Sequence, residues 1–391
     1  MSFSSLWSDL EPIGRTATGG YRRFAWTRED HTLREWFAGE AAERGLSLVE
    51  DRAGNQWAWW GTPGQSNGVV LGSHLDSVPA GGAYDGPLGV VSAFAAVDQA
   101  RADGFSPSKP VAIVNFGDEE GARFGVACAG SRLITGALAA DTARALKDSS
   151  GVTMAAARRK AGALGDLGPD PETLSRIGCF VELHVEQGRA LVFEDAVVGV
   201  GTSIWPHGRW RISVPGRANH AGTTALVDRD DALLKAAALV QAARAAAEEN
   251  GCVATVGRLD VQPGGVNAIA EHVEVWLDAR GASAASVTAC VAQIEGDAQA
   301  LGAKLQQLSW TADTPFDPAL AKRLSQLLGA PMLSTGAGHD AGILANAGIP
   351  TAMIFVRNPT GVSHAPDEFA TPEDCLAGVD ALTRVLKELA A

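Results

Sequence analysis

A histidine and two carboxylates follow the end of an apolar run in this sequence. Residues 68–71 predict a buried strand, and His74 and Asp76 come directly after it. Because residues two apart in an extended chain face the same way, Asp76 can accept one ring N–H of His74 and leave the other nitrogen free for a metal ion. Asp85 follows in a glycine-rich loop that can turn its side chain inwards. These three residues predict part of a metal site.

Further apolar runs also end in acidic or imidazole side chains. In open α/β sheets the ligand crevice lies outside the carboxyl ends of the strands, so these side chains are expected to face His74 and Asp85. The runs cover residues 111–116, 179–185 and 351–356, and the side chains in or after them are Glu119, Glu120, His184 and His364.

Imidazoles and carboxylates together form a ligand set for two divalent ions. Zinc fits these ligands, and manganese, cobalt and nickel are the alternatives. Two such ions about 3.5–4 Å apart can share a water and lower its pKa from about 15.7 towards about 7. Side chains of consecutive residues diverge, so Glu119 is left to act as the general base while Glu120 binds metal. The predicted ligands are His74, Asp85, Glu120, His184 and His364.

Size and composition indicate a folded protein with two domains. The chain has 391 residues, of which 46% are hydrophobic, and a formal net charge of -13. The negative charge disfavours binding to nucleic acid or to an anionic membrane surface, and neither is expected as a partner. Five cysteines without a CxxC pair, and no run of membrane-spanning length, predict reduced thiols in a cytoplasmic protein.

The pattern of the chain changes near residue 209. From there it predicts the order β-α-β-β-α-β, which is a ferredoxin-like α+β unit. We therefore expect an α/β metallohydrolase with a mixed sheet, whose catalytic domain comprises residues 1–208 and 316–391, and an inserted lid domain at residues 209–315.

Three polar residues of the expected lid are candidates for substrate contact. His220 is the predicted donor to the oxyanion of a tetrahedral intermediate. Asn267 and Arg280 suit a substrate carboxylate, since the guanidinium can bind it with two parallel hydrogen bonds.

Seven segments, read together, resemble the hydantoinase/carbamoylase-type amidases. This family includes N-carbamoyl-L-amino-acid hydrolases, allantoate amidohydrolases and β-alanine synthase, relatives of dinuclear zinc aminoacylases and exopeptidases. The segments are SHLDSVPAGGAYDGPLG, FGDEEGARFG, ELHVEQG, GRANHAGTT, GGVNAIA, TGAGHDA and GVSHAPDE, in family order from His74 to His364.

The resemblance implies hydrolysis of a linear C–N bond in an N-carbamoyl, ureido or N-acyl derivative of a small carboxylic acid. It also implies that Gln187 lies near the scissile group, that the lid forms a homodimer, and that His220 serves the partner subunit's site. One ion would be held by His74, Asp85 and His184, and the other by Asp85, Glu120 and His364.

Two residues leave alternatives open. His339, in the segment TGAGHDA, is expected either to contact substrate or to support a loop. Relatives usually carry small uncharged residues at the position of Arg357. Arg357 is expected either to bind a second substrate carboxylate, which would give a preference for acidic N-carbamoyl or N-formyl amino acids, or to form a salt bridge.

Two other functions compete with this hydrolysis. One is that of a metallo-dipeptidase or aminoacylase, and the other is that of a metal-binding protein without turnover.

Overall fold

The computed structural model describes residues 2–64, 67–163 and 165–391 and divides the chain into two compact units. The first unit comprises Met1–Ser203 and Pro315–Ala391, and the second comprises Ile204–Thr314. No helix of the described residues is long and apolar enough to cross a membrane.

Strands and helices are numbered in chain order. The strands are β1 (Ser47–Glu50), β2 (Gln56–Trp60), β3 (Gly68–His74), β4 (Val111–Phe116), β5 (Ile177–Val185), β6 (Val198–Ile204), β7 (His207–Pro215), β8 (Asn219–His220), β9 (Val253–Gln262), β10 (Ala268–Ile269), β11 (His272–Arg280), β12 (Lys304–Thr311), β13 (Thr314–Pro315), β14 (Met332–Thr335) and β15 (Thr351–Val356). The helices are α1 (Phe3–Leu10), α2 (Arg28–Glu43), α3 (Pro87–Ala102), α4 (Ala129–Thr135), α5 (Ala140–Ala145), α6 (Met154–Lys160), α7 (Pro171–Leu174), α8 (Ala190–Phe193), α9 (Ala232–Asn250), α10 (Ala284–Ala300), α11 (Pro318–Leu328), α12 (Asp340–Asn346) and α13 (Pro372–Ala390), with a 3-10 turn at Leu226–Asp228.

A mixed sheet forms the centre of the first unit. Its order among the described residues is β1-β2-β4-β3-β5-β15-β6-β13, and β14 pairs with β6. Strands β4, β3, β5 and β15 run parallel to one another, whereas β2 and β6 pair antiparallel with their neighbours. The predicted mixed α/β fold is therefore confirmed.

The central strands are apolar on both faces because both faces are covered. Every residue of β3, β4 and β15 is buried, and α3 and α13 contribute apolar side chains to the same core. Helix α13 begins as its sequence predicts: Thr371 accepts a hydrogen bond from the Asp374 N–H, and Pro372 is the first helical residue.

The second unit is a four-stranded antiparallel sheet with two helices. The sheet order is β12-β7-β11-β9. Along the chain, α9 lies between β7 and β9, and α10 lies between β11 and β12. This is the β-α-β-β-α-β order predicted for the ferredoxin-like unit. Val273, Val275 and Leu277 alternate towards the helices and are buried with Leu239 and Ile294.

The stretch at residues 139–171, to which the sequence assigns no chemistry, contains the short helices α5 and α6 and the start of α7. Leu164, within it, lies outside the described residues.

Candidate metal centre

The parallel strands bring the predicted ligands to one edge of the sheet. His74 is the last residue of β3, His184 lies near the end of β5, and Glu120 and His364 follow β4 and β15. Since these four strands are neighbours and run in the same direction, their carboxyl ends meet.

Asp85 lies between two groups of ligand atoms. Its Oδ1 is 3.1 Å from Nε2 of His184 and 3.5 Å from Nε2 of His74. Its Oδ2 is 3.3 Å from Nε2 of His364, and that nitrogen is 3.6 Å from Oε2 of Glu120. Within each group, the potential ligand atoms all lie within 4.8 Å of one another. One carboxylate is thus placed to serve two cations.

The imidazoles of His74 and His184 are oriented as metal ligands usually are. Nδ1 of His74 is 3.2 Å from the backbone oxygen of Asp76, and Nδ1 of His184 is 2.8 Å from that of Val185. Protonation of both Nδ1 atoms leaves each Nε2 with a lone pair. Both Nε2 atoms are buried and have no hydrogen-bond partner among the described residues, so the donor set fits a divalent ion.

The charges of the site also favour a cation. Burial opposes the charged form of Asp85, yet His184, His364 and His74 hold its pKa well below the usual range. Burial and the Asp85 carboxylate raise the pKa of Glu120 to about 7. The hydrogen bond with Asp85 raises the pKa of His364 to about 9, against the opposing effect of burial.

Glycine at position 86 leaves room for the His74 ring. A Cβ there would lie 2.4 Å from Cε1 of His74, and the backbone φ of 84° is in the left-handed region. The glycine-rich loop therefore turns tightly between Asp85 and the start of α3.

Glu119 is buried beside the ligands, and its two carboxylate oxygens face different groups. Oε2 is 3.8 Å from Nε2 of His74, whereas Oε1 accepts a hydrogen bond from the Cys128 thiol at 3.2 Å. Burial, Asp340, Glu120 and other carboxylates raise the pKa of Glu119 well above its ordinary value. A carboxylate in this position can accept a proton from water near the ligands.

Asp76 has a role that the sequence did not suggest. Its carboxylate lies 3.5 Å from Nδ1 of His74, but the hydrogen-bond partner of that nitrogen is the backbone oxygen of Asp76 and not the predicted carboxylate. Its Oδ1 and Oδ2 also accept the backbone N–H groups of Glu119 and Glu120 at 3.1 and 3.0 Å. Asp76 thus fixes the acidic pair as well as the imidazole.

Glu368 is a further residue of the site that the sequence did not indicate. Its Oε1 accepts the backbone N–H groups of Tyr84 and Asp85 at 2.8 and 2.9 Å. The hydroxyl of Ser363 lies 3.3 Å from Oδ2 of Asp85 and 3.5 Å from Oε2 of Glu368. Glu368 therefore joins the loop that carries His364 to the loop that carries Asp85. The only sequence signal was its place in the segment GVSHAPDE.

Gln187 and His339 lie against the ligands. Nε2 of Gln187 donates to Oδ2 of Asp85 at 2.7 Å and is 3.3 Å from Nε2 of His364. The ring of His339 packs edge-on against His184 with centroids 4.5 Å apart, and burial and His184 hold its pKa well below the ordinary value.

Arg357 makes one of the two contacts that the sequence left open. Its Nε and Nη2 bind the two carboxylate oxygens of Asp374 at 3.1 and 2.8 Å. Asp374 is buried in the first turn of α13, where it needs a cationic partner, and Arg357 directly follows β15. The salt-bridge alternative is the one observed, and we do not retain the predicted preference for acidic substrates.

The remaining candidates lie in the second unit. His220 and Asn267 are close together, because β8 pairs with β10 and the Ala221 N–H donates to the Asn267 carbonyl at 2.9 Å. Nδ1 of His220 accepts the Gly222 N–H at 3.0 Å, so the neutral ring carries its proton on Nε2. Arg280, at the end of β11, pairs with Asp278 at 2.7 Å.

Comparisons with known proteins find relatives that match nearly the whole chain. A family model described as peptidase family M20/M25/M40 matches residues 70–388. The chain is 36% identical over 406 residues to an N-carbamoyl-L-amino acid amidohydrolase of Geobacillus stearothermophilus, with 98% of each chain covered. It is 30% identical over 395 residues to an allantoate amidohydrolase of Bacillus subtilis, with 97% of this chain and 95% of the relative covered. The crystal structure of a hydantoinase/carbamoylase family amidase from Burkholderia multivorans matches with a TM-score of 0.85 and 31% identity, over 100% of this chain and 98% of that chain.

Proposed function

The chain belongs to peptidase family M20/M25/M40, and from this membership and the site geometry we propose that it is an amidohydrolase using two metal ions. Its substrate would be an N-carbamoyl, ureido or N-acyl derivative of a small carboxylic acid, cleaved at a linear C–N bond. The predicted resemblance to hydantoinase/carbamoylase-type amidases is confirmed by the comparisons.

The observation that carries this proposal is the position of the Asp85 carboxylate between two groups of ligand atoms. We assign one ion to His74, Asp85 and His184, and the other to Asp85, Glu120 and His364. Zinc suits these imidazole and carboxylate donors, and manganese, cobalt or nickel are the alternatives that the same donors accept.

Bound divalent ions would supply positive charge that polarises the scissile carbonyl and makes water more acidic. Glu119 would take the proton of the attacking water through Oε2 and then give it to the leaving nitrogen, which departs as an amine or ammonia. Support for this role comes from the burial of Glu119 and from the 3.8 Å between its Oε2 and Nε2 of His74. Asp76 would hold Glu119 and Glu120 in register for this transfer.

We assign binding roles to the other predicted site residues. His220 would donate from Nε2 to the developing oxyanion, a role that its tautomer supports. Asn267 and Arg280 would bind the substrate carboxylate, with Arg280 released in part from Asp278. Gln187, which contacts Asp85, and His339, which packs against His184, would lie beside the scissile group of the substrate.

The named relatives guide the choice of substrates. One acts on N-carbamoyl-L-amino acids and another on allantoate, according to their names. Both substrates are linear ureido compounds with a carboxylate, as the proposed site requires. We further propose a cytoplasmic homodimer formed through the second unit, on the basis of the family resemblance and the unpaired thiols of the described cysteines.

The test is product release by enzyme reconstituted with zinc or manganese. The panel would contain allantoate and N-carbamoyl, N-formyl and N-acetyl amino acids as both enantiomers, with dipeptides as competing substrates. We expect metal-dependent turnover of at least one ureido or N-acyl carboxylate, with kcat about 10²–10⁴-fold lower in Glu119→Gln. Faster cleavage of dipeptides than of every N-carbamoyl compound would contradict the proposed substrate class.

A further inference from the structure

The thiol of Cys128 lies against the proposed general base. Its Sγ is 3.2 Å from Oε1 of Glu119, and both side chains are buried. A thiol is a weak donor and a carboxylate a strong acceptor. Burial, Glu119 and Asp340 raise the pKa of this thiol well above its ordinary value, so it keeps its proton and donates.

The backbone brings the two residues together independently of this side-chain contact. The Cys128 N–H donates to the Glu119 carbonyl at 2.5 Å, and the N–H groups of Ala129 and Gly130 donate to the carbonyls of Asp118 and Gly117 at 3.0 Å each. Cys128 itself has a φ of 53°, in the left-handed region that a non-glycine residue adopts only where its surroundings hold it.

The contact gives the two oxygens of Glu119 different surroundings. Oε1 faces the thiol, and Oε2 faces Nε2 of His74 on the ligand side. Rotation of the carboxylate about its last side-chain bond would break the hydrogen bond from Cys128. The terminal side-chain torsion angle of glutamate has only a broad preference of its own, so the hydrogen bond from Cys128 limits the rotation of the carboxylate.

We propose that Cys128 is a positioning residue of the reaction, whose S–H fixes the carboxylate plane of Glu119 so that Oε2 receives the proton of the attacking water. This inference rests on the proposed function, because it concerns the base of the same hydrolysis. Cys128 does not touch the reacting atoms and acts only through Glu119. Loss of the donor therefore lowers kcat and leaves KM and metal content unchanged.

The variants that test it are Cys128→Ala, which removes the donor, and Cys128→Ser, which keeps one. We expect Cys128→Ala to lower kcat about tenfold, a part of the roughly 10²–10⁴ that a positioned general base contributes, and Cys128→Ser to restore most of it. Cys179→Ala is the matched control, since Cys179 lies early in β5 and pairs with Val69. It should retain wild-type kcat.

A double-mutant cycle separates positioning from a structural role. In a Glu119→Gln background, where the base is absent, Cys128→Ala should cost no further kcat. An equal loss in both backgrounds, or unchanged kcat in Cys128→Ala, would overturn the proposal. So would a loss of kcat matched by loss of bound metal.

An infrared measurement tests the contact without turnover. The S–H stretching band of Cys128, identified by its absence in Cys128→Ser, should lie at lower frequency in the wild type than in Glu119→Ala. An unshifted band would overturn the proposal even where Cys128→Ala fails to fold. If the wild type turns over nothing in the substrate panel, the proposed function fails, while the band still reports on Cys128 and Glu119.

Discussion

Oε1 of Glu368 accepts the backbone N–H of Asp85 at 2.9 Å, although 283 residues separate them in the chain. Asp85 carries the carboxylate that both proposed metal positions share. Its loop is therefore held by a residue from the segment that also contains His364, and the two ligands are positioned together.

Removal of Glu368 should weaken metal binding. Glu368→Ala leaves the partly buried N–H of Tyr84 and the buried N–H of Asp85 without their acceptor, so we expect the Kd for zinc to rise about 10–100-fold. Glu368→Gln, which keeps one acceptor oxygen, should lie between this variant and the wild type. Competition with a chelator measures the Kd. The control is Asp367→Asn, the exposed neighbour; an equal loss in both variants would refute the role of Glu368.

Glu119 should be needed for turnover and dispensable for metal binding. Glu119→Gln removes the proton acceptor and keeps the shape of the side chain, so kcat should fall about 10²–10⁴-fold while metal content stays unchanged. Glu120→Gln provides the contrast, since it should lose metal as well as activity. If Glu119→Gln lost its metal too, the division between base and ligand would be wrong.

Arg357 should affect stability and not substrate choice. Arg357→Ala strips the buried Asp374 carboxylate of its partner, and we expect the free energy of unfolding to fall by about 1–2 kcal/mol, a value kept small because solvent reaches the guanidinium. Urea denaturation measures this loss. The ratio of kcat/KM for acidic and neutral substrates should not change. A selective loss for acidic substrates would instead favour the other alternative, in which Arg357 binds a second substrate carboxylate.

Metal binding should release protons near neutral pH. His364, with a pKa raised to about 9 mainly by its hydrogen bond with Asp85, is protonated in the metal-free site at pH 7, and Glu120, with a pKa of about 7, is partly protonated. Ligands bind metal unprotonated, so zinc affinity should rise with pH up to about 9. The raised pKa of His364 also stabilises the folded, metal-free chain. This contribution is fully present at pH values below 6.5, the ordinary pKa of histidine, and is lost as the pH rises through about 9.

Calorimetry in buffers of different ionisation enthalpy measures the protons released. We expect zinc binding to release at least about one proton per chain at pH 7. Zinc binding without proton release would contradict the assignment of His364 and Glu120 as ligands.

Much of the fold could be predicted from local patterns, and the proposed ligands lie at the strand ends that these patterns indicate. Strands β3, β4 and β15 are mainly apolar runs, and they lie parallel to one another and to β5 in one sheet, so their carboxyl ends meet. Asp85 lies between His74 and His184 on one side and Glu120 and His364 on the other, and the assignment of one ion to each side is the proposal that the resemblance implies.

The residues that support the ligands were not predictable in the same way. Glu368 reaches Asp85, and Cys128 reaches Glu119, through hydrogen bonds between segments that only the folded backbone brings together. The sequence left two roles open for Arg357 because its partner, Asp374, lies 17 residues further on in a helix whose first turn faces the end of β15. Charge near a site predicts an ionic contact but does not identify the partner.

The most direct test of the account is the number of divalent ions bound per chain, measured by elemental analysis after saturation and removal of free metal. We predict two in the wild type, loss of both in Asp85→Ala because this residue serves both positions, and retention of one in Glu120→Ala. Saturation of the wild type with one ion, or two ions retained in Asp85→Ala, would contradict a site built around a shared Asp85 carboxylate.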